Sequence, residues 1–227
     1  SNPNSCYLFR TPSNYAAYLE QAGFDVMSLA NNHARDFGET GRDSSMTSLQ
    51  QVGIAHTGRA GDVASLTIKG LKVGIIAFAP YHGSNNMLEK DNVEARVKKL
   101  DADHDIVIVS FHGGAEGSGS QRIPFSREIY YGEDRGDVVK FAHAVVDAGA
   151  DLVIGHGPHV PRAVELYQER LIAYSLGNFA TYWGINIRGA NGLAPILNTE
   201  IKADGEFVSG RIISARQVRP DGTLIDE

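Results

Sequence analysis

Short apolar runs alternate with amphipathic stretches through the first two-thirds of the chain, and this alternation predicts strands and helices in turn. Thr11-Pro12 reads as a cap followed by a first-turn proline, with Tyr15, Tyr18 and Leu19 at helical spacing and Gly23 as the stop. Residues 24–29 form a strand-like run. Residues 39–52 are helical in pattern, with Met46, Leu49 and Val52 on one face and Gly53 beyond the end. A short strand follows at 54–57. Residues 65–69 and 71–78, joined at Gly70, predict a hairpin feeding a buried strand. A weak amphipathic helix over 91–100 rests on Val93, Val97 and Leu100. Ile106-Val107-Ile108-Val109 is wholly β-branched, which suits a strand buried on both faces. Residues 138–148 predict a helix stopped by Gly149, and Leu152-Val153-Ile154 another buried strand.

The last third changes character. Residues 163–167 and 171–176 predict antiparallel strands, and 195–202 with 207–215 a final hairpin around Asp204-Gly205. The early alternation implies a largely parallel inner sheet. The late run of strands implies a second sheet or an antiparallel edge. Within the alternating part lies a polar, glycine-rich loop over 112–135, of a length usually tied to function or mobility. No repeat, linker or low-complexity tract divides the chain, so the expectation is one α/β sandwich domain over residues 1–227.

Composition narrows the function classes. Of 227 residues, 42% are hydrophobic and 21% charged, an ordinary globular balance. Lys plus Arg is 21 against 27 Asp plus Glu, a net charge of −6 that argues against nucleic acid as the main partner. The one cysteine, Cys6, excludes an internal disulfide framework and a Cys-rich zinc site. No apolar run approaches the ~18 residues of a spanning helix, and no charged-then-apolar leader opens the chain.

Three predicted strands run into histidine. Residues 25–29 lead to Ala30-Asn31-Asn32-His33, 105–111 to His112-Gly113-Gly114, and 151–154 to Gly155-His156-Gly157-Pro158-His159. In a parallel sheet the C-terminal strand ends share one edge, where ligands bind. Imidazole suits zinc, iron and related ions, and glycines let the backbone bend and come close. One strand-end histidine is more often structural than a ligand, but three segments at equivalent positions reverse that balance. No nucleophile elbow or phosphate-binding loop competes, and Ser118 and Ser120 read as solvated. His143 falls inside a helix, and His56, His82 and His104 near loop or strand edges, with His82 able to reach the same edge. Tyr182 and Trp183 are read as a cleft wall or as exposed packing residues.

Four segments in order then carry a resemblance. Leu29-Ala30-Asn31-Asn32-His33 with Asp36 and Gly38, His112-Gly113-Gly114-Ala115-Glu116, residues 149–159, and Tyr174-Ser175-Leu176-Gly177-Asn178-Phe179 resemble motifs of the CapA-type poly-γ-glutamate capsule biosynthesis proteins. The match spans about residues 9–215. It implies a four-layer α/β/β/α sandwich of the calcineurin-like metallophosphoesterase type. By resemblance, Asn32, His112, His156 and His159 are metal ligands, and His33 contacts the substrate and donates a proton. Asp36 and Glu116 are candidate catalytic residues and Asn178 a candidate substrate contact. Their plain alternatives are a turn former, a solvated charge and a loop-shaping hydrogen bonder. One residue more than the G-H-x-H spacing separates His156 from His159, which leaves open which ion each would hold.

The resemblance also sets expectations about what precedes this segment. The fold's first metal-bearing strand and a carboxylate segment should come earlier, and nothing before Ser13 carries them. The expectation is a domain missing its first strand, with two divalent ions (Mn, Fe or Zn) in the complete family site and at most one in this chain. The implied function is hydrolysis of a phosphoester or related bond in making or exporting a γ-glutamyl polymer, at the cell envelope. The implied partners are an anionic polymer or phosphorylated substrate and other capsule-synthesis proteins. The alternatives are a non-enzymatic polymer-binding component and a γ-glutamyl amide hydrolase.

Overall fold

The structure is a computed structural model that describes residues 7–181, 184–218 and 223–226. Tyr182, Trp183 and Cys6 lie outside the described residues. A 3-10 turn at Ser13–Tyr15 opens α1 (Ala16–Gln21), followed by β1 (Val26–Ser28), α2 (Gly38–Gln51), β2 (Ala55–Thr57), β3 (Ala64–Ile68), β4 (Leu71–Ala79) and β5 (Asn85–Asn86). Next come α3 (Lys90–Asp103), β6 (Ile106–His112), β7 (Glu128–Tyr130), β8 (Glu133–Gly136), α4 (Val138–Asp147) and β9 (Leu152–His156). The chain continues through β10 (Val164–Tyr167), β11 (Arg170–Ala173), β12 (Ile196–Ile201), β13 (Phe207–Ile213), β14 (Ala215–Val218) and β15 (Thr223–Asp226).

The main sheet runs β10-β11-β9-β6-β4-β3, with β5 beside the end of β4. Its centre, β11-β9-β6-β4, is parallel, and β10 and β3 close the edges antiparallel. The two-residue period of a strand decides what each face carries. On β6, Val107, Val109 and Phe111 join Ile76, Phe78 and Val153 in one core, against Val93, Val97 and Leu100 of α3 and Val138, Phe141 and Val145 of α4. The alternate residues Val73, Ile75 and Ile106 face the other way and pack on Val26 of β1, Ala55 of β2 and Ile201 of β12. Helix α2 lies against β2 on the far side. The order of layers is thus helix, sheet, sheet, helix.

The structure departs from the sequence reading in three places. Strand β1 does not join the main sheet; it pairs in parallel with β2, Val26 opposite Ala55, in the facing layer. All three of its residues are half-buried, since Val26 points into the space between the sheets while Met27 lines an open cleft on the other side. The polar 112–135 loop contains the β7–β8 hairpin, held by charges buried with partners from elsewhere. The predicted strand over 207–215 breaks after β13, which pairs with β12, and the chain then pairs again as β14 with β15. Among the described residues, no helix is long and apolar enough to cross a membrane.

Phe78 is fully buried, its ring edge-on to Phe141 at 5.5 Å. Phe78→Ala should cost about 3–5 kcal/mol through lost contacts and the cavity left behind. A urea titration should show the midpoint falling with the slope unchanged.

Candidate functional site

His112 and His156 are register partners at the ends of adjacent parallel strands β6 and β9. Partners in register emerge on the same face, and parity with Ile106 and Ile108 puts that face toward the second sheet. The loops that follow are tied backbone to backbone: Gly113 N–H donates to His156 O at 2.9 Å and Gly117 N–H to Pro158 O at 2.9 Å. Gly157 makes this approach feasible. Its φ is +119°, and a Cβ there would stand 2.8 Å from Gly113 O.

The third segment arrives from the facing layer. Beyond β1, Leu29 N–H donates to Thr57 O at 2.8 Å, and Asn31 Oδ1 accepts from His33 N–H at 2.8 Å, turning the chain. Asn32 and His33 are half-buried. His33 Nδ1–H donates to Asp36 at 2.9 Å, and the same carboxylate accepts from Phe9 N–H at 2.9 Å. The Phe9 ring meets the His33 ring edge-on at 4.5 Å. Asp36 therefore fixes the ring and leaves Nε2 for other chemistry.

Burial holds the His112 pKa well below the ordinary histidine value, and His156, His159, Arg135 and His33 add to the cost of a charge there. Burial also pushes His156 down. Both rings are therefore neutral near pH 7, the form in which imidazole binds metals. His112 Nε2 is buried and has no hydrogen-bond partner.

His159 is held in a left-handed conformation, φ +59°, which costs a side-chain-bearing residue about 1–3 kcal/mol. Two asparagines hold it there. Asn178 Nδ2 donates to the carbonyls of His159 at 3.3 Å, Asn186 at 3.4 Å and Asn191 at 3.0 Å, and Asn191 Nδ2 donates to His159 O at 3.1 Å. With its NH₂ committed to carbonyls, Asn178 turns Oδ1 to His159 Nδ1 at 2.7 Å, so that nitrogen carries the hydrogen. His159 Nε2 then faces Glu116 Oε2 at 3.8 Å, too far for a hydrogen bond and wide enough for a cation to sit between the ring nitrogen and the carboxylate.

A buried polar frame supports these loops. Arg162, with a side chain 0% exposed, pairs with both oxygens of Glu128 at 2.8 and 2.7 Å. It also donates to Ser120 O at 2.7 Å and Ala115 O at 3.2 Å, and Glu128 accepts from Ala115 N–H at 2.9 Å. Arg135 donates to Glu116 at 2.8 Å and to Glu133 at 2.9 Å. In sequence, Arg135, Glu128 and Arg162 look like solvated loop charges, and no spacing marks them as buried. Asn191, absent from the four motifs, gave no signal.

The remaining histidines lie in local contacts. His143 stacks on Tyr167 at 3.8 Å and meets Glu165 at 3.1 Å, His56 pairs with Gln50 at 3.0 Å, and His104 Nδ1 donates to Leu100 O at 2.9 Å. His82 is exposed rather than turned into the site, and its carbonyl accepts from Arg35 at 3.2 Å. A cleft of about 1050 Å³ between residues 9–19 and α2 is walled by His33 and Asp36, but not by His112, His156 or His159. Among the described residues, no three His, Cys, Asp or Glu side chains stand ready to hold an ion together. The donor chemistry nonetheless fits a divalent cation, through the unpartnered Nε2 of His112 and the Nε2 of His159 opposite a carboxylate.

Comparison with known proteins decides the family. The family model described as "Bacterial capsule synthesis protein PGA_cap" matches residues 1–182. The chain belongs to the PGA_cap family. It is 28% identical over 181 residues to the capsule biosynthesis protein CapA of Bacillus anthracis, covering 71% of this chain and 41% of that one. It is 26% identical over 179 residues to the PGA biosynthesis protein CapA of Bacillus subtilis, covering 71% and 43%. The chain thus spans less than half the length of the curated relatives it matches. The crystal structure described as "Putative 5'-Nucleotidase from Staphylococcus aureus in complex with alpha-ketoglutarate" superposes with a TM-score of 0.54 at 16% identity, covering 93% of this chain and 41% of that one. Its likeness places this PGA_cap chain in the metallophosphoesterase-type α/β fold.

Two outcomes follow from the geometry. Asn178→Ala removes the acceptor for His159 Nδ1 and one clamp on its carbonyl, so divalent-metal affinity should fall about 10- to 100-fold by calorimetry. The folded-state pKa values of His112 and His156 lie below the unfolded one, so the unfolded chain takes up protons first as pH falls. Chelator-treated protein should be fully stabilised above about pH 6.5 and lose stability on acidification below it, read as falling melting temperature.

Proposed function

We propose that this PGA_cap chain is one hydrolase-like domain over residues 1–227 that binds a divalent metal and acts on a phosphoester or related bond in the handling of an anionic γ-glutamyl polymer. The observation that carries the reading is the buried, unpartnered Nε2 of His112 beside two further histidines and a carboxylate. His112, His156, His159 and Asn32 would hold the ion, which when bound supplies Lewis acidity for attack by water. Mn, Fe and Zn all suit this nitrogen-rich set.

The chain's own groups then have distinct tasks. Asp36 orients His33 by accepting its Nδ1–H, which leaves Nε2 to deliver a proton to the leaving oxygen. Glu116, steadied by Arg135, faces the metal ligand His159. Asn178 has both ends committed inside the chain and serves by holding His159 rather than by touching substrate. The partners proposed are the polymer or a phosphorylated substrate, together with other capsule-synthesis proteins.

A second reading, a polymer-binding component without turnover, is favoured by the absence of a ready three-ligand set among the described residues. Full-length protein assayed with p-nitrophenyl phosphate and with a γ-glutamyl amide, each with added Mn²⁺ or Zn²⁺, separates the readings. Phosphatase activity that falls about 10²- to 10⁴-fold in His33→Ala supports the hydrolase. Turnover of the amide alone points to γ-glutamyl hydrolysis. Binding of poly-γ-glutamate without turnover of either supports the component. His156→Ala should lower the metal content of the purified full-length protein, read by elemental analysis.

A further inference from the structure

Tyr81 lies just past the end of β4. Its ring packs on Ala30, Ala77 and Ala79. Ala30 leads directly into Asn31-Asn32-His33, so the ring sits against the segment that carries two proposed site residues. On another side, it meets His112 edge-on, centroids 5.9 Å apart. The Arg135 guanidinium lies over it at 5.4 Å. Tyr81 therefore lies between the His33 segment, the His112 strand end and the arginine that holds Glu116.

The hydroxyl of this ring is buried and has no hydrogen-bond partner. A buried phenol without an acceptor is costly, and native structures rarely keep one without a use. The loop is not free to swing the ring out. Ser84 N–H donates to Tyr81 O at 3.1 Å, while Gly83 O accepts from Ala60 N–H at 2.9 Å and from Arg42 at 2.7 Å. Arg35 donates to His82 O at 3.2 Å. The backbone is thus held by α2 and the neighbouring turn, and the ring is kept edge-on to His112, whose Nε2 is also buried without a partner.

We propose that Tyr81 is a substrate-binding residue whose hydroxyl donates a hydrogen bond to an oxygen of the reacting group, phosphoryl or acyl, bound beside His112. The inference rests on the metal-dependent reading of the site and adds a residue that none of the four motifs contains. A phosphoryl oxygen and an acyl oxygen offer the same acceptor, so the two substrate classes share this contact. Tyr81 carries no proton transfer in this role; it positions the oxygen and stabilises charge that builds on it.

The test uses full-length wild-type protein and Tyr81→Phe, which keeps the ring packing. Mn²⁺ binding is measured first and should be equal in the two. Inorganic phosphate and γ-glutamylglutamate are then titrated into the Mn²⁺-loaded proteins by calorimetry. Whichever probe binds the wild type should bind Tyr81→Phe about tenfold more weakly, and the identity of that probe separates the phosphoryl from the acyl source. Without ligand, Tyr81→Phe should melt about 2–4 °C higher, because a buried unsatisfied hydroxyl is removed. Equal probe affinity in the two proteins overturns the inference. So does a wild type that takes up Mn²⁺ but binds neither probe. A lower melting temperature in Tyr81→Phe also overturns it, by giving the hydroxyl a structural partner. A wild type that takes up no Mn²⁺ overturns the metal reading itself, and this inference with it.

Discussion

Alternation along β6 is the constraint from which the site follows. Val107, Val109 and Phe111 are committed to the helix-covered core, so Ile106, Ile108, Ser110 and His112 must face the second sheet. A slip of one residue would put a phenylalanine between the sheets and an imidazole among valines, and the apolar faces of α3 and α4 forbid it. Pairing in register with β9 extends the same choice to His156. The facing layer, β1 and β2, then only has to end at the same edge to bring His33 across. The chemistry is placed by hydrophobic packing several residues away from it.

Much of the frame was legible in the sequence because it depends on local pattern. The β-branched run at 106–109, the glycine stops at Gly53 and Gly149, and the late change to successive strands all have counterparts in the structure. The sheet to which β1 belongs was not legible. A three-residue strand has no pattern that distinguishes one partner from another, and its neighbour is chosen by the inter-sheet contact of Val26. Nor was the hairpin inside the 112–135 loop. Its buried charges find partners 19 and 34 residues away, and sequence shows only that they are charged. The motif histidines were visible as a set, but what holds them was visible only in part. Asn178 was found as a motif position with two readings, a substrate contact and a loop-shaping hydrogen bonder; which groups its amide meets was not legible, because its orientation follows from three carbonyls supplied by the folded loop.

The strain at His159 belongs to the same pattern. A residue with a side chain is kept at positive φ by contacts from Asn178 and Asn191, so the ring reaches its position through folding rather than through ligand binding. Preorganisation of this kind lowers the reorganisation needed when a ligand arrives. It also concentrates the cost in the segment 155–159, where two proposed ligands and two carbonyls that accept from glycine N–H groups lie within five consecutive residues.

The Arg162–Glu128 pair carries a consequence for how this chain can change over evolutionary time. Both side chains are almost wholly shielded from water, and each is tolerable only because the other is present. Losing either alone strands a charge at a cost of about 3–5 kcal/mol, a large share of what holds a typical domain folded. Neutral drift at one position is therefore closed unless the other changes with it. A chain without the pair would need both members replaced together, most plainly with apolar groups of similar volume, and another way to fasten residues 115–120. The two positions, 34 residues apart in sequence, thus behave energetically as one unit.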